Sequence, residues 1–450
     1  MVRKASSLKD IVNVFHPKAL TEEEEQDKFY QPTAAVRDGK NREFHDDLFE
    51  SIKISEESAN NSHLLVVGHG GCGKSTELRM LARKLRYAGT PSIIIEARDD
   101  MNLNDFSFID ISVLIVGRLA KYAEDERINV DKDIISAFQM ALSTETTREY
   151  WDRSVKNDSG AGVSAGIGIS GLIKATARYS KDLKMGSGLM KEFRIEVEPK
   201  KSEITRAVNA LINDISCKIF ENRNNGNPER GKFSNIVIII DGLEKCRQDC
   251  VKTLFAEDVS SLSAIDAHMV VACPINVYRS PDASVLKNYF PTPGVMPMIK
   301  THNRDDSPNP EGINVITQLI LKRVDASFFE DGVLDKIIKS AGGSLRDTCY
   351  LLRQSAFEAY MRKREKVDEA SLDFVSKQFA AELFLAVRNK YYQKISDINN
   401  GDKEARGDEA STELLYGGAV FEYNGERWID LHPLIRSYVK VHPEALKWTS

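Results

Sequence analysis

The sequence predicts an α/β fold in which a parallel sheet, interrupted by a helical insertion, precedes further helices and a small C-terminal hairpin. Four short apolar runs, at residues 64–67, 93–95, 236–240 and 269–273, are typical of strands buried on both faces of a sheet. A glycine-rich loop, residues 68–75, directly follows the first run. Helical patterns separate the strands, and this alternation favours a parallel sheet.

Length and composition limit the class of protein. The chain has 450 residues, enough for two to four domains of ~100–200 residues each. Hydrophobic residues make up 42% and charged residues 29%, so the chain can build cores and is not disordered throughout. Because 62 Lys and Arg face 67 Asp and Glu, the net charge is -5. That balance excludes a globally basic nucleic-acid binder, although a local basic patch stays open.

The sequence carries no membrane or secretion signal. The longest apolar runs, such as residues 236–240, are far shorter than the ~20 residues of a membrane span. No apolar stretch follows the N-terminal residues 1–7, so we expect no secretory signal. The 6 scattered cysteines are typical of free thiols in a reducing compartment. We therefore expect a cytoplasmic location without stable membrane insertion.

The first half of the chain divides into two predicted parts. Residues 1–60 are polar and should form a helical or extended N-terminal segment, with a solvated helix start at the glutamates 22–25. Residues 61–310 should form the sheet domain, with a helical insertion at about 101–230. The Gly/Ser-rich stretch 159–171 inside that insertion has three interpretations. It could be a mobile loop that senses a ligand or lines a pore, a hairpin that touches a membrane before a basic helix, or a flexible connector.

The second half predicts helices and then a hairpin. The stretch 281–310 contains six prolines and should be loop-like. Helical patterns dominate residues 311–378. In residues 379–450, a helical segment at 379–395 precedes two alternating runs that flank Asn424-Gly425, a strong hairpin signal.

The loop 68–75 matches the full phosphate-binding pattern G-x-x-x-x-G-K-[ST]. Its glycines permit backbone conformations that turn successive N–H groups inward, toward a polyphosphate at the start of the next helix. Lys74 should reach the β- and γ-phosphates of ATP, and Ser75 should hold Mg²⁺. A strand before the loop and a helix after it make a chance match a poor explanation.

A carboxylate at the end of a neighbouring strand should complete the metal site. Asp241 ends the run 236–240 and is the predicted Mg²⁺ ligand. Gly242 follows it directly, so Glu244, three residues on, is the best candidate for the base that orients water. The alternatives are a strand that merely ends in an Asp-Gly turn and a surface glutamate at a helix start.

These motifs resemble those of the additional-strand P-loop ATPases, the AAA+ and STAND groups. The resemblance rests on the loop 68–75, on Asp-Gly-Leu-Glu at 241–244 and on Gly-Gly-Ser-Leu-Arg-Asp at 342–347. AAA+ enzymes usually carry an acidic residue where Gly242 stands, so the motif is closer to STAND signalling ATPases and favours a slow switch over processive turnover. The resemblance implies a P-loop NTPase sheet domain, a helical lid and a C-terminal winged-helix-like domain.

The resemblance also implies sensor residues. Arg346, in the first turn of a lid helix capped by Ser344, would contact the γ-phosphate, unless it is a solvent-facing arginine at an ordinary helix start. Asn276 would be a polar sensor after the fourth strand, with Cys273 or Pro274 as alternatives. The implied nucleotide-binding residues are Gly68, His69, Gly70, Gly71, Cys72, Gly73, Lys74, Ser75, Thr76 and Asn276. Arg279 and Arg304 are equal candidates for an arginine finger acting on a neighbouring subunit.

Three functions fit this sequence. The first is a slowly hydrolysing ATP switch, by resemblance in prokaryotic defence such as antiviral defence or in stress signalling, acting with a separate effector or partner protein. The second is a DNA-binding ATPase resembling origin-recognition proteins or transposition regulators. The third is a scaffold that binds ATP without hydrolysing it. Homo-oligomers and DNA remain open as partners, because the charges near the predicted hairpin are balanced.

Overall fold

A five-stranded parallel sheet lies at the centre of the fold, as the sequence predicts. The computed structural model describes residues 3–58, 60–143, 168–186, 188–224, 236–281, 283–423 and 428–447. The strands of the sheet are β1 (His63–Gly68), β2 (Ser92–Glu96), β3 (Val237–Asp241), β4 (His268–Pro274) and β5 (Thr292–Met296). Their spatial order is β2-β3-β4-β1-β5, and all neighbouring pairs are parallel. The carboxyl ends of all strands therefore meet at one edge, where ligands of such sheets bind.

The N-terminal segment is helical and packs against the sheet domain. Its helices are α1 (Leu8–Val14), α2 (Glu23–Phe29), α3 (Ala34–Asp38) and α4 (Phe44–Glu57). The helix start predicted at the glutamates 22–25 is confirmed by α2. Helix α5 (Lys74–Tyr87) follows β1 and lies beside α4, and the leucines on its buried side belong to one hydrophobic cluster with residues of β1, β3 and β4.

The predicted helical insertion between β2 and β3 is confirmed wherever the structure describes it. Its helices are α6 (Ala97–Asp100), α7 (Phe108–Asp125), α8 (Lys132–Leu142), α9 (Ile169–Met185), α10 (Gly188–Val197) and α11 (Lys201–Asn224). Helix α7 is almost wholly buried and joins the largest hydrophobic core. Of the Gly/Ser-rich stretch, residues 159–167 lie outside the described residues. The basic residues that follow are on α9.

The prediction of a loop-like stretch at 281–310 is wrong in part. After β3 the chain forms α12 (Gln248–Ala256), α13 (Val259–Ser263), β4, α14 (Ile275–Arg279), α15 (Ala283–Tyr289) and β5. Both α15 and β5 fall inside the proline-rich stretch. Strand β5 tolerates Pro293 because it is an edge strand, where a missing backbone N–H need not interrupt the ladder.

Helices and a hairpin follow the sheet domain. The helices are α16 (Pro310–Leu321), α17 (Val333–Ala341), α18 (Leu345–Met361), α19 (Glu369–Leu385), α20 (Tyr392–Asn399), α21 (Glu409–Tyr416) and α22 (Pro433–Val441). Strands β6 (Val420–Tyr423) and β7 (Trp428–Leu431) pair antiparallel, which confirms the predicted hairpin, while its turn Asn424-Gly425 lies outside the described residues. The winged-helix assignment of residues 379–450 stays a prediction.

The single helix expected at 379–395 is instead two helices. Helix α19 runs past residue 378 to Leu385, and α20 begins at Tyr392 after a short 3₁₀ turn. The bend lets Tyr392 fold back and stack on Phe384, with ring centroids 5.1 Å apart. Aromatic packing therefore outweighs the continuous helical pattern.

Among the described helices, none combines the length and apolar character needed to span a bilayer.

Candidate functional site

The phosphate-binding loop lies at the carboxyl edge of the sheet, between β1 and α5. Gly71 and Gly73 have φ of 88° and 112°, left-handed conformations that favour glycine, so the loop needs these residues where the sequence has them. Helix α5 begins at Lys74, whose Nζ donates to the carbonyls of Gly68 and His69 at 2.9 Å each. The Lys74 side chain thus already lies over the loop at which we expect it to bind phosphate.

Two carboxylates face this lysine from β3. Asp241 ends the strand with both carboxylate oxygens buried, and within the described part of the chain only the Ser75 hydroxyl comes near enough to act on it as a donor. Glu244 follows on a 3₁₀ turn, and its buried Oε2 has no partner among the same residues. Burial and the neighbouring Glu244 raise the pKa of Asp241 above its usual value. Burial also acts to raise the pKa of Glu244, but the charges of Lys74 and Lys245 outweigh it and hold that pKa below its usual value.

The arrangement fits a divalent cation. Asp241 offers two buried oxygens, and the Ser75 hydroxyl lies close enough to lower the pKa of Asp241 as a hydrogen-bond donor. A buried carboxylate without a partner is costly, and Mg²⁺ prefers oxygen ligands of this kind. Ser75 and Asp241, the two residues that the sequence predicts as metal ligands, are therefore brought together.

The lid helix α18 lies directly on the phosphate loop. The main-chain N–H of Leu345 donates to the Gly71 carbonyl at 3.0 Å, and Ser344 caps the helix by accepting from Asp347 N–H at 3.2 Å. The Arg346 guanidinium lies against Gly70, 2.9 Å from the place where a Cβ would stand. Arg346 also influences the pKa values of Lys74 and Glu244 electrostatically, so the lid arginine belongs to the same charge cluster.

The side chain of His69 points away from the nucleotide side of the loop, toward the C-terminal hairpin. Its Nε2 accepts the main-chain N–H of Glu422 in β6 at 2.8 Å, and its ring packs edge-on against Phe421. Burial and the charges of Lys74 and Arg279 lower the pKa of His69 to about 3. The imidazole is therefore neutral and keeps the acceptor that this bond needs. Cys72 is buried in the same aromatic cluster.

A cleft of about 370 Å³ opens beside the loop, between the sheet domain, the lid and the N-terminal segment. The predicted residues that line it are Gly71, Gly73, Lys74, Ser75, Thr76, Glu244 and Arg346. The sequence did not indicate that the N-terminal segment contributes a wall, through Tyr30 and Arg37 among others. Arg323 of the lid lines it too, with its guanidinium 4.9 Å from the Phe29 ring centroid.

The remaining sensor predictions differ in outcome. Asn276 is buried on α14, directly after β4, but it is not among the described residues that line the cleft. Arg279 forms an ion pair with the buried Glu422, with Nε to Oε2 at 2.8 Å, and Arg304 pairs with Glu404. Both arginine-finger candidates therefore already have a carboxylate partner within their own chain.

The parallel sheet and the phosphate-binding loop have the form of the P-loop NTPase fold. Residues 41–261 match the model for the KAP family P-loop domain. That match covers the loop, Asp241 and Glu244, but not the lid or the C-terminal hairpin. No curated protein sequence matches the chain significantly.

Several solved structures are similar to the chain over almost its full length. One is Cdc6p from Pyrobaculum aerophilum, with 12% identity, a TM-score of 0.37 and coverage of 97% of each chain. Another is the Aeropyrum pernix ORC2 protein in its ADPNP-ADP complexes, with 12% identity, a TM-score of 0.40 and 97% coverage of each chain. A third is the Thermotoga maritima RuvB Holliday junction branch migration motor, with 10% identity, a TM-score of 0.34 and coverage of 94% of this chain and 99% of that one. Similarities this distant transfer no substrate or partner to this chain.

Proposed function

We propose that this protein is an ATP-binding and slowly hydrolysing molecular switch whose lid responds to the γ-phosphate. One observation carries the proposal: Arg346 at the start of lid helix α18 lies against the phosphate loop, in the same charge cluster as Lys74 and Glu244. A guanidinium in that place can form charge-assisted hydrogen bonds to phosphate oxygens. Its contact would differ between ATP and ADP, so the lid position depends on which nucleotide is bound.

The chemistry assigned to the site is hydrolysis of ATP by water. Lys74 would exchange its two loop carbonyls for phosphate oxygens, which are stronger partners for an ammonium. Glu244, held deprotonated by its lowered pKa, would orient the attacking water and take its proton. Ser75 and Asp241 would hold Mg²⁺, which when bound neutralises phosphate charge. Gly242, in place of a second acidic residue, is the reason for expecting slow turnover.

The biological setting proposed is a signalling one, in prokaryotic defence or stress response, with a separate effector chain and ATP-dependent self-association. Its support is the resemblance of the sequence motifs to STAND ATPases, together with the large helical insertion attached to a complete nucleotide site. Nothing in the site itself identifies the trigger, which the insertion or the C-terminal region would recognise.

The test is ATP hydrolysis and assembly state of wild type, Lys74→Ala and Glu244→Gln, each with and without DNA. We expect slow turnover by the wild type and its loss in both variants, with ATP still bound by Glu244→Gln. Oligomers that form only with ATP would support the switch. Turnover by Glu244→Gln at the wild-type rate would refute the assigned base, and no ATP binding by the wild type would refute the proposal.

DNA binding is the weaker alternative. Both hairpin strands are buried, and Arg436, the basic residue just after them, pairs with Asp430 and Asp306. The described part of the hairpin and Arg436 therefore offer no unpaired cation to a phosphate backbone. Turnover stimulated by DNA in the same assay would nevertheless favour a DNA-dependent ATPase over the signalling switch.

A further inference from the structure

We infer that Arg37, in the N-terminal segment, is a positioning residue for the phosphate loop, an inference that rests on the proposed nucleotide binding. Its guanidinium makes three hydrogen bonds with three different nitrogens. Nη2 donates to the Cys72 carbonyl at 2.6 Å, Nε donates to Thr33 Oγ1 at 2.9 Å, and Nη1 donates to the Pro297 carbonyl. The arginine thus joins the N-terminal segment and the end of β5 to the loop itself.

The bond to Cys72 fixes the direction of one peptide group in the loop. In a planar trans peptide the C=O and the following N–H point in opposite directions. Because the Cys72 carbonyl is turned toward Arg37, the N–H of Gly73 must point away from Arg37. Loops of this type bind phosphates through such N–H groups. Arg37 therefore holds the Cys72–Gly73 peptide in one of its two orientations before a nucleotide arrives.

Arg37 is also buried without an ion pair. The residue is only 4% exposed, and among the described residues no carboxylate lies within 4.0 Å of it. Burial lowers its pKa, whereas Cys72, Glu77 and Glu43 act electrostatically in the opposite direction. A buried cation without a counter-ion is unfavourable. The polyphosphate of a nucleotide, bound in the cleft that Arg37 also lines, would bring further negative charge close to it.

A positioning role makes a specific prediction about which ligands are affected. Arg37→Met keeps most of the side-chain volume but removes the charge and all three donors. We expect its Kd values for ADP and ATP to rise about 10- to 100-fold, the weight of one charge-assisted contact. Its Kd for adenosine, which has no phosphate, should stay within about 3-fold of the wild-type value. The nucleotide-free variant should melt below the wild type, because the buried carbonyls of Cys72 and Pro297 lose their donor. The selectivity for phosphate-bearing ligands is therefore the value that tests the positioning role.

Two further variants separate charge from geometry and from general effects. Arg37→Lys keeps a positive charge but cannot span all three acceptors, so its affinity for ADP should fall between those of Arg37→Met and the wild type. Arg42→Met is the matched control, because Arg42 belongs to the same segment but is exposed and forms an ion pair with Asp47 at the surface. It should bind all three ligands as the wild type does. Isothermal titration with adenosine, ADP and ATP, and thermal unfolding without ligand, give these values.

The outcomes are distinct. Equal loss of adenosine and ADP affinity in Arg37→Met would show a merely architectural role and overturn the inference. Should Arg37→Met fail to fold, Arg37→Lys decides: unchanged ADP affinity refutes the inference, whereas selective loss of ADP and ATP affinity supports it. If the wild type binds ATP and Arg37→Met binds it equally well, the inference about Arg37 is refuted while the proposed function stands. A wild type that binds no nucleotide overturns the proposed function itself.

Discussion

At the scale of single residues, Asp241 shows the tension between stability and ligand binding. The residue is 1% exposed, so burial raises the pKa of its carboxyl and makes the charged form unfavourable, although Ser75 acts in the opposite direction. A carboxylate placed in this way is explained by the cation that it would hold, because functional sites are where such unfavourable groups persist. The nucleotide-free protein should therefore be less stable with this charge than without it.

The corresponding prediction concerns Asp241→Asn, which keeps the shape and removes the charge. At neutral pH the nucleotide-free variant should unfold at the same temperature as the wild type or higher, while the additional stabilisation by Mg²⁺ with ATP should be lost. The raised folded-state pKa means that the folded wild type binds the proton more tightly than the unfolded chain, whose value is near 3.8. Wild-type stability should then fall as pH rises through that raised pKa, and the variant should lack this slope.

Differential scanning fluorimetry between about pH 4 and 8, with and without Mg²⁺ and ATP, measures both effects. Ser75→Ala is a useful comparison, because it also removes a predicted metal ligand but leaves the buried carboxylate. It should lose part of the Mg²⁺ effect and retain the pH slope. A marked drop in the melting temperature of nucleotide-free Asp241→Asn would mean that the carboxylate stabilises the fold.

Residues of the site were predictable where their signal is local. Lys74, Ser75 and Asp241 belong to short motifs beside apolar strands, so chain neighbours alone identify them. Arg37 carries no such signal, because its partner Cys72 lies 35 residues away and its own segment reads only as polar. The role of the His69 side chain was equally hidden, since its partner Glu422 is 353 residues away. Contacts of this range depend on the assembled fold.

At the scale of elements, the start of α18 depends on one glycine. Gly343 has φ of 88°, and a Cβ there would lie 1.8 Å from the carbonyl oxygen of Ile299. Main chain of the sheet domain and main chain of the lid therefore touch without room for a side chain. This contact holds Leu345 and Arg346 on the phosphate loop, so the lid docks through its backbone before any nucleotide contact is made.

We expect Gly343→Ala to destabilise the protein far more than a comparable glycine replacement in the same lid. Gly332, the N-cap of α17, also has a left-handed conformation, with φ of 79°, but open space surrounds it. Gly332→Ala should cost about 1–2 kcal/mol, the strain of a left-handed alanine. Gly343→Ala adds a steric clash and should cost about 3 kcal/mol or more beyond that. Denaturant unfolding measures the difference, and equal costs would contradict close backbone docking.

The strands of the sheet also show where a sequence pattern fails to predict an element. The strands β1 to β4 are apolar runs and were predicted, whereas β5 has the sequence Thr-Pro-Gly-Val-Met and was not. Its proline and glycine normally exclude a strand, and they are allowed here because β5 forms the sheet edge and Gly294 faces the Phe44 ring of α4. Whether such a run forms a strand depends on its position in the sheet, and the sequence of the run alone does not contain that position.

At the scale of the whole molecule, three distant segments converge on one loop. Arg37 brings the N-terminal segment, Arg346 brings the lid, and the C-terminal hairpin binds through His69. The hairpin is joined to the lid as well, because Tyr423 Oη donates to the Gly342 carbonyl at 2.7 Å. We therefore expect a nucleotide that reshapes the loop to act on all three segments, and a segment coupled in this way affects nucleotide affinity to the same degree.

That reciprocity can be tested through His69→Phe, which keeps an aromatic ring against Phe421 but removes the acceptor for the Glu422 N–H. Leaving this buried N–H without a partner should cost about 1–3 kcal/mol and loosen the hairpin. Hydrogen exchange at residues 420–423 and 428–431 should become faster, and ADP binding should weaken although the His69 side chain faces away from the cleft. In the wild type, ADP should change exchange at the same amides. The control His16→Phe, at an exposed histidine, should change none of these values. Hairpin exchange that is identical in wild type and His69→Phe, with or without ADP, would show that the hairpin is docked on the loop without being coupled to it.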